Sequence, residues 1–65
     1  MATVKVRAAI RRLVADGWVQ TRQRGSHRQF RHPAKPGVVT VSGKPSDTLA
    51  EGTWLNIQRQ AGWRN

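Results

Sequence analysis

The sequence predicts an α+β fold in the order helix, three-stranded antiparallel sheet, helix, with both helices on one face of the sheet. Three observations lead there. Residues 3–17 form an amphipathic stretch that closes on a glycine, residues 18–41 break into short β-prone runs separated by Gly and Pro turns, and a second amphipathic stretch closes on Gly62. A three-stranded sheet needs one covered face to be stable, and two amphipathic helices can cover it together. The opposite face is then left open to solvent.

The first helix is TVKVRAAIRRLVADG, with Thr3 as its N-cap and Gly17 as a left-handed C-terminal cap. Val6, Ile10, Leu13 and Val14 recur at helical spacing and define its apolar face. Lys5, Arg7, Arg11 and Arg12 take much of the remaining surface; their plain reading is a solvated helix face, and the alternative is phosphate contact. Residues 18–24 and 27–32 read as two strands joined at Gly25 and Ser26, the pattern of a hairpin. HPAKPG ends the second strand with two prolines and a glycine, residues 38–41 form a short third strand, and GKPSD is loop. The last helix starts near Thr48, which has capping-box spacing to Glu51, or near Thr53, because Gly52 disfavours the earlier start. Trp54, Ile57 and Ala61 form its stripe, Gly62 caps it, and Trp63 folds back as the hydrophobic contact of that cap.

The 65 residues are expected to form a single domain spanning 1–65, with a core limited by size. There is no cysteine, so neither a disulfide framework nor a thiolate zinc site is available, and two histidines with three scattered acids give no expectation of a metal or other cofactor. No apolar run approaches the roughly 20 residues that span a bilayer, and no secretory signal is evident; a soluble, cytoplasmic protein without a membrane role is expected. Twelve Lys and Arg against three Asp and Glu give a formal charge of +9, and nine of the twelve are Arg. The planar guanidinium fork suits phosphate, so this charge points to nucleic acid or to an acidic protein partner.

Strand parity sorts the motif GSHRQFRHP at residues 25–33. If Phe30 faces the core, residues 28 and 32 share its side, and His27, Gln29 and Arg31 face outward. His27 is then presented to solvent at the start of a strand, beside cations. His32 has core parity and precedes a proline; it reads as structural, with a second proton-transfer role as the alternative. Trp18, Trp54 and Trp63 sit at element ends in apolar patterns and read as core, with base stacking as the alternative.

The segments GW at 17–18, GSHRQFRHP at 25–33, KPG and VTV within 35–41, GT at 52–53 and QAGW at 60–63 together resemble the HicA (YcfA-like) toxin family, in order, from about Val6 to Trp63. The chain departs from the family pattern at Arg28, where a second His is frequent, at Val6 and Ala8, where Ser and Glu are frequent, and at Gln58, which is more often apolar. The resemblance implies a double-stranded-RNA-binding-domain-like fold and a type II toxin that acts as an mRNA interferase under the restraint of a HicB-type antitoxin. It also implies that His27, in the GSH motif, is catalytic.

RNA cleavage through the 2′-hydroxyl needs a base, an acid and positive charge near the phosphate. Histidine is the side chain that titrates close enough to neutrality to serve in either proton role. His27 is therefore the expected general base, or base and then acid. Arg24, Arg28 and Arg31 are the expected phosphate ligands, with Ser26 orienting the phosphate or the imidazole. The expected partners are RNA, specifically mRNA, and an antitoxin that covers His27 and its neighbouring arginines, with no small-molecule cofactor. Two other classes fit the same composition: a non-catalytic basic RNA-binding module, and a protein that serves mainly to bind an acidic partner.

Overall fold

A computed structural model describes residues 3–63. Its order is β1 (Val4–Lys5), α1 (Val6–Ala15), β2 (Val19–Arg24), β3 (His27–Arg31), β4 (Val39–Val41), β5 (Thr48–Leu49) and α2 (Glu51–Gln60). Strands β2, β3 and β4 form the antiparallel meander, in that order. The architecture is the α-β-β-β-α layout of a double-stranded-RNA-binding domain, with one addition: β1 and β5 pair antiparallel as a separate two-stranded ladder, Val4 opposite Leu49 and Lys5 opposite Thr48.

That ladder changes how both helices begin. Thr3 does not cap α1; the N-cap is Lys5, in extended conformation and without a side-chain cap. The first amides of the helix instead donate to carbonyls of the loop that leads into β5, Val6 N to Asp47 O at 2.9 Å and Arg7 N to Pro45 O at 3.1 Å. Helix N-termini leave such donors without intrahelical partners, and backbone oxygens serve as well as a threonine hydroxyl. Thr48 lies in β5 and Thr53 lies inside α2, which starts at Glu51 after Ala50, so neither threonine caps that helix.

The C-terminal expectations hold. Gly17 and Gly62 adopt φ of 100° and 78°. The amides that follow each helix return to its last carbonyls, Gly17 N to Val14 O and Trp18 N to Leu13 O in α1, Gly62 N to Arg59 O and Trp63 N to Gln58 O in α2. Both helices therefore end in the same Schellman arrangement, and each places a tryptophan at its second post-helical position.

The core lies between the sheet and both helices. Val6, Ala9 and Leu13 of α1 and Trp54 and Ile57 of α2 pack with Phe30, Val39 and Val41, while Trp18, Leu49 and Ala61 close the margins. Val14 departs from the expected apolar face and is 57% exposed. At about 100° per residue Leu13 falls within about 20° of Val6 and Ala9 about 60° to one side, whereas Val14 falls about 80° to the other. The helix rolls toward Ala9, whose small side chain admits close approach to the sheet.

The two cap tryptophans converge on Asp16. Trp18 Nε1 and Trp63 Nε1 donate to Asp16 Oδ2 at 3.1 and 3.0 Å, and Lys35 Nζ does so at 2.7 Å. The Lys35 bond first and the Trp63 bond second hold the Asp16 carboxyl at about 2, below its ordinary 3.8. Lys35 also donates to Ala61 O at 3.1 Å, so one cation and one carboxylate join the ends of α1 and α2 to the β3–β4 loop.

Candidate active site

The β2–β3 hairpin carries the candidate residues beyond the core. All six residues of β2 are exposed, and in β3 only Phe30 is buried. The turn is formed by Gly25, at φ 59°, and Ser26, with φ of ordinary sign, a combination suited to a two-residue hairpin loop with glycine first. Arg24 and His27 flank the turn as a cross-strand pair.

Pairing register arranges the open face in rows. Arg24 stands opposite His27, and extending the β3–β4 register by one residue from Arg28 opposite Val41 sets Ser42 on the other side of His27. The next row is Arg22, Gln29 and Thr40. A bulge at Thr21 shifts the register between Gln20 and Arg22 and so keeps Arg22 level with Gln29 on this face. Arg22, Arg24, His27 and Gln29 line a concavity of about 300 Å³. His27 is exposed, and its Nδ1 lies 3.5 Å from Ser42 Oγ.

Three of the expected phosphate ligands occupy distinct places. Arg24 lines the concavity beside His27. Arg31 shares its face but stands four residues along β3, about 13 Å away at strand rise. Arg28 has core parity, as alternation requires, and is half-buried with Nη1 donating to Gly43 O at 2.9 Å; it does not line the concavity. Ser26, in the turn, accepts a bond from Gly43 N at 3.2 Å through its carbonyl. Arg22 and Gln29 line the concavity although the sequence did not single them out as ligands. Their signal was parity with His27, which required the bulge at Thr21 to be known for Arg22.

His32 is structural on its geometry. Its Nδ1 accepts from the amides of Ala34 and Lys35 at 2.9 and 3.2 Å, which leaves Nε2 to donate to Asp16 O at 2.8 Å. Both ring nitrogens are engaged, and the ring packs edge-on against Trp18 at 5.3 Å. A Cβ on Gly17 would lie 2.8 Å from His32 Nε2, so close approach as well as positive φ requires glycine there.

The charge of the open face is uncompensated. Among the described residues the one ion pair is Lys35 with Asp16, at the far ends of the helices. Asp47 accepts from Lys44 N in the loop before β5, and Glu51 sits in the first turn of α2. The arginines beside His27 therefore have no carboxylate partner among the described residues, and their field is directed to an anionic ligand. Trp18, Phe30 and Trp54 are buried, and Trp63 packs under the Arg12 guanidinium at 4.6 Å, so the aromatic rings serve the interior. Among the described residues no three His, Cys, Asp or Glu side chains gather as metal ligands, and no helix is long and apolar enough to cross a membrane.

Fold and site together define a small basic domain of the double-stranded-RNA-binding layout, with an exposed imidazole among unpaired arginines on its open sheet face. Residues 6–63 match the family model described as HicA toxin of bacterial toxin-antitoxin. The chain belongs to the HicA toxin family. No curated protein matches the chain.

Proposed function

We propose that this toxin is an endoribonuclease that cleaves mRNA by attack of a 2′-hydroxyl on the adjacent phosphodiester, with His27 as the proton-transfer group. The observation that carries this is the concavity on the open face, where an exposed imidazole stands between Arg22, Arg24 and Gln29. His27 takes the O2′ proton as the O2′–P bond forms. The P–O5′ bond then breaks, and the departing O5′ receives a proton from the imidazolium or from water, leaving a 2′,3′-cyclic phosphate and a 5′-hydroxyl. Arg22 and Arg24 stabilise the charge that builds on the phosphorane oxygens, the role for which a fixed, pre-placed cation is worth most. Arg31 holds the strand further along β3. The carboxamide of Gln29 faces the same space and can bond a ribose hydroxyl or a base edge.

The nucleophile belongs to the substrate, so the scheme needs no metal. Inhibition of translation follows from loss of message in the cytoplasm. The restraining partner is a HicB-type antitoxin whose acidic surface covers His27 and the arginines beside it; hydrogen exchange that left residues 22–29 unprotected in the complex would count against this. Long single-stranded RNA and its fully 2′-O-methylated counterpart, incubated with the protein in excess chelator, test the chemistry. Cleavage of the first to cyclic or 3′-phosphate ends, with the second left intact, is expected. Equal cleavage of both, or dependence on added divalent metal, overturns the scheme.

A further inference from the structure

The site contains a residue that nothing in the sequence pattern singled out. Ser42 stands directly across from His27 once the β3–β4 register is extended by one pair, and its Oγ lies 3.5 Å from Nδ1. That separation is long for a settled hydrogen bond, but catalytic contacts in ligand-free sites are often loose and tighten on substrate binding. His27 Nε2, in contrast, has no protein partner among the described residues. The segment that carries Ser42 is held at the next residue, through both its amide and its carbonyl. Gly43 N donates to Ser26 O at 3.2 Å, and Arg28 Nη1 donates to Gly43 O at 2.9 Å. The carbonyl of the residue before His27 and the side chain of the residue after it thus both grip Gly43. Gly43 itself is at φ 109°, a conformation an L-residue rarely adopts, so the chain leaves β4 along a path fixed at this point.

We infer that Ser42 is a positioning residue for His27: its hydroxyl oxygen accepts a hydrogen bond from Nδ1–H, which orients the ring and leaves Nε2 as the basic nitrogen facing the concavity. Arg28 acts one step further back, by anchoring Gly43 and with it Ser42. This accounts for a guanidinium in the motif that does not line the concavity. The inference rests on the proposed role of His27, but its first readout does not require cleavage. Which ring nitrogen carries the proton is set by the bond that the other one makes.

The test is the tautomer of His27, read from the nitrogen chemical shifts of its ring in the uniformly labelled protein at a pH where the ring is neutral, in wild type, Ser42→Ala and Ser42→Thr. A short disordered peptide containing GSHRQ serves as reference. The wild type and Ser42→Thr are expected to be enriched in the Nδ1–H form relative to the peptide, and Ser42→Ala to return to the peptide's mixture. Ser42 is exposed, so the alanine variant keeps its packing. In cleavage assays Ser42→Ala should lose about tenfold in turnover with RNA affinity unchanged, the pattern of a lost orienting contact, and the threonine variant should recover it. A wild-type tautomer mixture equal to that of the peptide, or of Ser42→Ala, overturns the positioning role even if His27 proves essential. Loss of the role of His27 itself would appear separately, as cleavage that survives His27→Ala.

Discussion

Replacing Arg22 and Arg24 by Gln should change how RNA binding responds to salt, and by a calculable amount. The open face presents three arginines that have no carboxylate partner among the described residues, Arg22, Arg24 and Arg31, of which the first two line the concavity with His27. Each phosphate neutralised on a single strand contributes about −0.7 to the slope of log binding constant against log salt. Three contacts therefore give a slope of about −2, and affinity falls roughly 18-fold between about 50 and about 200 mM salt. The double variant retains one contact, a slope of about −0.7 and a loss of only about 2.6-fold over the same interval. Fluorescence anisotropy of a labelled single-stranded RNA, on a His27→Ala background to prevent cleavage, measures both slopes. Arg59→Gln, on α2 and so on the opposite side of the sheet, is the control and should leave the slope near its wild-type value. An Arg22/Arg24 double variant with the parent slope, or a control that lowers it equally, would refute the assignment of the phosphate track to this face.

Three further outcomes concern the scaffold. The Asp16 carboxyl is held at about 2 in the folded state, below its ordinary 3.8, so its contribution to stability is complete above about pH 4 and is lost as pH falls through 2. Denaturant titrations across that window should show wild-type stability declining with acid and Asp16→Asn declining less; parallel profiles would contradict the bonds to Lys35 and the two indoles. Phe30→Ala removes a ring that is 1% exposed and should cost about 3–5 kcal/mol. A domain of this size commands a total of only about 3–10 kcal/mol, so the variant should lose from about a third to all of its stability and melt far below wild type by circular dichroism, and a native-like spectrum with unchanged melting would be inconsistent with the core described. Gly17→Ala combines positive φ with a contact of 2.8 Å to His32 Nε2, and a loss exceeding about 1 kcal/mol is expected in thermal melts; a neutral effect would contradict the cap geometry.

What was legible in the sequence was what local chemistry encodes. The glycines at 17 and 62 marked both helix ends because a left-handed cap needs that residue type, and Phe30 set the parity that sends His27 and Arg28 to opposite faces. Non-local pairing was invisible. The β1–β5 ladder joins segments separated by most of the chain, two residues from each side, and no pattern within either segment announces it. Its consequence was the misassigned caps, since Thr3, Thr48 and Thr53 have the right chemistry but the helix amides of α1 are served by carbonyls of the loop before β5. Ser42 was missed for a related reason. The β3–β4 connection is long and proline-rich, so the register that sets Ser42 opposite His27 cannot be counted from the strands alone. Arg28 was correctly assigned to the core side by parity, yet grouped with the phosphate ligands; its bond to Gly43 shows how a half-buried arginine can be used within the fold.

The central claim is that His27 moves the proton in RNA cleavage. Its most direct test sets wild type beside His27→Ala on one long single-stranded RNA, in excess chelator, with cleavage, product ends and binding measured on the same preparations. His27 is exposed, so the variant should keep the native circular dichroism spectrum and bind RNA with the wild-type salt slope, but release no cyclic or 3′-phosphate ends. Cleavage by His27→Ala at the wild-type rate would contradict the claim. Binding by both proteins without cleavage by either would make the open face an RNA-binding surface with an incidental imidazole.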